Sequence, residues 1–234
     1  MDRHTKLRLK VTALVSSLIA SFALCLIPAP HADAARFIPG VVATPLVDLI
    51  DVIVRRREVI AVDPVRGGTK RAALLVGEDV LWSGARGKVA IVVTDRRILG
   101  TTTSHGGWHA IRLKVHESDP RSIMLGDRVA LIVTDMRAIG LSAGGKTFTT
   151  NLIGTTEKPF DVVVGDNVAA MITDRRLLAL SGFFPGFAET LIGVHEDVEF
   201  TSTLPNFISV GTHQRVLVFR GTTGAWAAER VSLR

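Results

Sequence analysis

The stretch IVVTDRRILG (residues 91–100) returns as LIVTDMRAIG (131–140), as AMITDRRLLA (170–179) and, in worn form, as SVGTHQRVLV (209–218). With the threonine as reference the copies stand at Thr94, Thr134, Thr173 and Thr212, in steps of 40, 39 and 39 residues. A fifth copy lies upstream in VIVRRREVIAV, where Val59 and Ile60 match Ile98 and Leu99 but Arg55 and Arg56 replace the Thr-Asp pair. A fixed period of this length means that one supersecondary unit is written several times, each unit burying its apolar surface against its neighbours. The architecture is therefore a repeat array rather than a single-core fold.

Within a repeat, KVAIVVT and RRILGT are short, rich in Val, Ile and Thr, and separated by a polar corner, which is the signature of a hairpin. Apolar residues occur in succession in both, so both faces of these strands are expected to be buried. A third strand follows a Gly-rich loop, and a fourth, more polar one (RSIML, FDVVV, VEFTST) precedes the next copy. No helical periodicity appears after residue 35. Four short antiparallel strands in about forty residues is the pattern of a propeller blade. The expected fold class is all-β: a five-bladed β-propeller over residues 35–234, with repeats starting near 49, 88, 128, 167 and 206. The apolar segment GVVATPLVD supplies a closing strand at 40–46, expected to complete the last blade. A β-solenoid with forty-residue coils is the alternative use of the same period.

In repeat number and strand count, residues 40–234 resemble the five-bladed β-propellers of the tachylectin-type size class. That resemblance implies a rigid ring with loops at its ends. It carries over no ligand-binding residues.

Residues that recur in every copy are expected to serve the blade itself. The series Glu78, Glu117, Glu157 and Glu196 is paired in this reading with Arg97, Arg137 and Arg176, each arginine meeting the glutamate that follows it: Arg97 with Glu117, Arg137 with Glu157, Arg176 with Glu196. Asp95, Asp135 and Asp174 are assigned to the corners, accepting backbone N–H bonds two residues on. Trp108, Phe148, Phe187 and Trp226 are assigned to packing between blades. Ala90, Ala130 and Ala169 are read as lining a narrow central channel. A ring of carboxylates binding metal or substrate is the functional alternative for the acidic series.

Residues that do not recur are the candidates for binding. The loops after the second strand differ in every copy, DPVRGG, TTSHGG, SAGGK, SGFFPG and RGTTG, and share one face of the disc. Variable loops on a rigid scaffold are where recognition is usually built. The candidate binding residues there are Phe183, Phe184, His105, His109, Arg66 and Lys146. Two adjacent aromatics at a Gly/Pro tip cannot both turn inward, so at least one is expected to be exposed. His105 and His109 form H-x3-H with no third ligand type nearby, so no metal site is assigned. The first copy departs most, with Arg55, Arg56 and Arg57 followed by Glu58: a basic patch with one reversed charge.

The N-terminus reads as a secretory signal peptide over residues 1–34: basic residues from Arg3 to Lys10, an apolar run from Val11 to Ile27, then Ala32-Asp33-Ala34 as a small-x-small cleavage site. An uncleaved anchor is the other reading of that run. Cys25, the single cysteine, falls inside it, so the exported chain would have no thiol chemistry. The formal net charge is +6, with arginine scattered and few aromatics interleaved, which is a weak footprint for nucleic acid. No G-x-S-x-G, Walker loop or H-E-x-x-H is present. The expectation is a non-catalytic, exported module (periplasmic or extracellular) without cofactor or metal, whose partner is another envelope or secreted protein. A lectin that binds glycan and a small propeller glycoside hydrolase are the alternatives, and no stable membrane span is expected after signal cleavage.

Overall fold

Segments in which Val, Ile, Leu and Ala occupy successive positions become strands covered on both faces, and the segments that alternate with polar residues become the strands beside them. The computed structural model describes residues 49–64, 67–117 and 120–230, and every regular element within them is a β-strand. The first sheet is a meander of β1 (Asp51–Arg55), β2 (Glu58–Asp63) and β3 (Gly68–Ala73). The second joins β4 (Val80–Arg86), β5 (Val89–Thr94), β6 (Arg97–Thr102) and β7 (His109–Arg112). The third holds β8 (Ser122–Leu125), β9 (Val129–Val133), β10 (Arg137–Ser142) and β11 (Thr149–Leu152). The fourth holds β12 (Pro159–Val164), β13 (Val168–Thr173), β14 (Arg176–Ser181) and β15 (Phe187–Leu191), and the fifth β16 (Val198–Leu204), β17 (Phe207–Thr212), β18 (Arg215–Arg220) and β19 (Ala225–Arg230). All pairings are antiparallel between consecutive strands. Five meanders, one per repeat and stacked in chain order, form the five blades of a β-propeller.

Sheet boundaries and repeat boundaries differ by one strand. The polar strand read as closing each repeat instead opens the next sheet: Arg86 pairs with Val89 and Leu204 with Phe207 across tight turns. Hydrogen-bonding a strand to the one it joins through two residues is far easier than to one across a long loop. The fifth sheet consequently draws four strands from residues 198–230. The expected closing strand at 40–46 and the expected signal peptide at 1–34 lie outside the described residues.

The core is a series of layers between sheets. Val89, Ile91, Val93 and Ile98 of the second sheet pack on Ala130, Ile132, Ile139 and Leu141 of the third. Val129, Leu131 and Val133 face Ala169, Met171, Leu178 and Leu180 of the fourth, and Ile172 and Leu177 face Ile208, Leu217 and Phe219 of the fifth. Each of the Val, Leu, Ile, Met and Phe side chains withdrawn from water contributes about 1.5–3 kcal/mol. Ala90, Ala130 and Ala169 are fully buried in these layers, on the second strand of their sheets. They do not line a channel. Because a polar strand precedes theirs, small side chains here let neighbouring sheets approach.

The aromatic series performs the inter-blade packing expected of it. Each ring crosses onto a small residue of the sheet before it: a Cβ at Gly100 would stand 2.4 Å from Phe148, and one at Gly140 would stand 3.0 Å from Phe187. Trp108 and Trp226 take the same place and donate their indole N–H to the carbonyls of Lys70 (3.0 Å) and Ala188 (3.1 Å). At the turns joining first and second strands the backbones of consecutive sheets touch: Lys88 donates its N–H to Asp127, Arg128 to Asp166 and Asn167 to Pro205. A side chain at Gly126 or Gly165 would strike the next turn's carbonyl at 2.1 and 2.3 Å, which explains the glycine of the repeated turns.

Candidate functional site

The strand directions give the stack two ends. One carries the Thr-Asp corners and the loops between sheets. The other carries the tight first-strand turns and the variable loops.

At the corner end the threonine organises the turn. Thr94 Oγ1 accepts from the N–H of Arg96 (3.2 Å) and of Arg97 (2.9 Å), and the same geometry recurs at Thr134, Thr173 and Thr212. The aspartate, expected in that role, reaches sideways instead: Asp95 accepts from the N–H of Asp79 and Asp174 from that of Lys158. A hydroxyl on the turn's first residue is already placed to receive both N–H groups, leaving the neighbouring carboxylate free for the adjacent strand.

The glutamates pair with arginines in the opposite sense to that expected. Arg97 binds Glu78, Arg137 binds Glu117, Arg176 binds Glu157 and Arg215 binds Glu196. Each is a bidentate fork, with Nε and Nη2 at 2.7–2.9 Å from the two carboxylate oxygens. The glutamate sits in the loop entering its arginine's own sheet, so the partner lies upstream and not downstream. Arg97 Nη2 also reaches the Ala73 carbonyl and Arg137 Nη2 that of Arg112, the last strands of the preceding sheets. Loop, corner and previous blade are thereby joined through one guanidinium. We call this arrangement the latch.

The latch carboxylates are ionised and occupied. Burial pushes Glu78, Glu117 and Glu157 up; the arginine, a backbone N–H and a threonine hydroxyl outweigh it and leave each below the usual carboxylate range. At Glu196 the hydrogen bonds of Arg215 are the leading cause and hold the carboxyl at about 2. Carboxylates so held are poor general acids and have no free lone pairs for a metal. Each loop tip before the latch exposes its side chain: Val76, Val115 and Val194 are 98, 96 and 97% exposed. Nothing in the apolar pattern marked them, since a valine at a turn tip reads like one in a strand.

At the loop end Phe183 and Phe184 diverge. Phe183 is half-buried, its ring 4.6 Å beneath the Arg128 guanidinium, a cation–π contact. Phe184 is 45% exposed and lies against Gly224 of the next blade. Beside it a cavity of about 170 Å³ opens between the fourth and fifth sheets, lined by Ser181, Pro185, Phe187, Ala188 and Phe219. Its floor is fixed, because Ser181 Oγ donates to the Gly221 carbonyl and accepts from the Phe183 N–H.

The other described loop candidates lie on the second and third blades. His105 and His109 meet edge to face, 6.1 Å apart, and His105 Nδ1 lies 2.9 Å from Thr102 Oγ1. Burial, then the charges of His109, Lys70 and Lys146, hold His105 below the usual imidazole range, so it is neutral at pH 7. Among the described residues no three potential ligands cluster as a metal site. Arg66 lies outside the described residues.

No protein-family model matches the sequence, and no curated protein matches it. Among solved structures the chain is similar to Prp20p from Saccharomyces cerevisiae, which binds Gsp1p and histones (9% identity over 72% of this chain and 56% of that one, TM-score 0.35). It is similar to PorZ, a surface component of the type-IX secretion system of Porphyromonas gingivalis (10%, 79% and 25%, TM-score 0.37), and to Kluyveromyces lactis Hsv2 (8%, 79% and 73%, TM-score 0.34). The chain spans a little over half the length of Prp20p. At these scores the likenesses carry no functional information.

Proposed function

We propose that the chain is an exported, non-catalytic β-propeller that binds another protein through its loop end. The observation that carries this reading is Phe184, a large apolar side chain exposed at a loop tip beside a cavity between two blades. Aromatic anchors beside preformed pockets dominate protein–protein recognition. The cavity is sized for about one aliphatic or aromatic side chain of a partner. The non-catalytic part is supported by the glutamates, each committed to an arginine. Export rests on the N-terminal pattern of residues 1–34, and the expected partner is an envelope or secreted protein.

The test is a paired capture. Full-length protein and Phe184→Ser are used as bait on a solubilised envelope fraction, and both are applied to an array of glycans and cell-wall fragments. A protein retained by the parent and lost by the variant, with a blank array, is the expected outcome. Glycan binding that needs Phe184 would replace this reading with a lectin.

A further inference from the structure

Four corners hold a carboxylate latch, and the corner of the first blade is built the other way round. Arg55 stands where the other copies have threonine, Arg56 where three of them have aspartate, and Glu58 where they have the latch arginine. The consequence is an excess of guanidinium at one place. Arg55, Arg56, Arg57 and Arg71 line a cavity of about 480 Å³ together with Glu58 and Ala73. Glu58 is the only carboxylate among them, and it is loosely shared: Arg55 Nη1 lies 3.7 Å and Arg71 Nη1 3.5 Å from its oxygens, against 2.7–2.8 Å for the shortest contact in each latch. Arg56 and Arg57 are exposed, and among the described residues their side chains have no hydrogen-bond or ion-pair partner.

We propose that this corner is a binding site for a phosphate group. Four guanidiniums against one carboxylate leave an excess of three positive charges, which a singly charged ligand would not balance. Guanidinium forks match the oxygens of a tetrahedral oxyanion, each arginine giving two parallel N–H groups to a different pair. A carboxylate is already present and engages only two of the four. The depression is open to solvent and has room for a second phosphate or an organic group on the same ligand. The site is independent of the loop end, which lies at the other end of the strands.

The phosphate could come from a soluble ion or ester, or from a lipid headgroup, and the experiment separates these. Full-length protein is titrated calorimetrically with pyrophosphate, and separately floated with phosphatidylcholine vesicles that contain or lack phosphatidic acid. Arg56→Ala/Arg57→Ala is expected to weaken binding about tenfold or more, since each loses charge-assisted hydrogen bonds. Arg96→Ala/Arg175→Ala, the matching tips of latched corners, leaves it unchanged. Glu58→Gln tightens it, because Arg55 and Arg71 are released to the ligand, an effect that generic loss of structure cannot produce. Phe184→Ser retains it, so failure here and failure of the partner face are distinguishable. Pyrophosphate binding without vesicle binding assigns a soluble ligand; vesicle binding that needs phosphatidic acid and Arg56/Arg57 assigns a headgroup. No saturable binding of either probe, or binding indifferent to the Arg56/Arg57 pair, overturns the proposal.

Discussion

Replacing Glu117 by Gln tests whether the repeated acids hold the blades together. The glutamate side chain is fully buried and that of Arg137 is 8% exposed, so neither can turn to water. Glutamine preserves the volume but offers one acceptor oxygen where the fork needs two, and sets an NH2 group against the guanidinium. Lys114 N–H and Thr134 Oγ1, which bond the same carboxylate, compete for what remains. Removing one partner of a buried pair costs about 3–5 kcal/mol, a large part of the roughly 5–15 kcal/mol that stabilises a typical domain. For a chain of this size that corresponds to a fall in Tm of about 6–20 °C. Thermal and urea unfolding measure it directly, with Glu189→Gln as control: its exposed contact to the same type of arginine is worth under about 1 kcal/mol. A Glu117→Gln variant within about 1 kcal/mol of the parent would refute the latch. So would stabilisation of the parent, but not the variant, by calcium, which would make the carboxylate a metal ligand.

Acid is expected to open the latches together. Each glutamate's carboxyl is lower folded than unfolded, so its contribution is complete above about pH 4.5 and is lost as the pH falls through its folded value, which for Glu196 is about 2. Urea midpoints measured across that interval should fall steeply, and a flat profile would contradict the pairing. Gly100→Ala places a methyl 2.4 Å from Phe148 and 2.8 Å from Leu141, and is expected to cost about 1–3 kcal/mol by overpacking, read as a shift in the urea midpoint. Phe184→Ser is expected to leave stability within about 0.5 kcal/mol while abolishing partner capture; a comparable loss of stability would make Phe184 a packing residue.

The period, the blade number and the aromatic layer were legible in the sequence because each rests on a side chain recurring in register. Phase was harder to read. A forty-residue repeat can be cut before or after its polar strand without changing any spacing, and only turn length decides. Gly87-Lys88 closes a hairpin, whereas the stretch from Leu113 to Arg121 cannot. Misplacing that cut misdirected the arginines, because Glu117 then looked like the end of a sheet rather than the entry to the next. Ala61, Gly100, Gly140 and Ala179, small in the first four copies where the fifth has Val218, were a readable sign of rings packing from the following blade. The cavity beside Phe184 was not legible, since it is formed by Phe187 and Phe219 from two different sheets.

The two ends of the stack offer rival surfaces, the Phe184 cavity at one and the exposed valines at the other. A photoreactive amino acid placed at position 184, and separately at Val115, in cells that make the protein would decide between them. The expected result is a discrete cross-linked protein product from position 184 and none from position 115. A product from Val115 with nothing from position 184 would move the partner face to the corner end and contradict the proposed function.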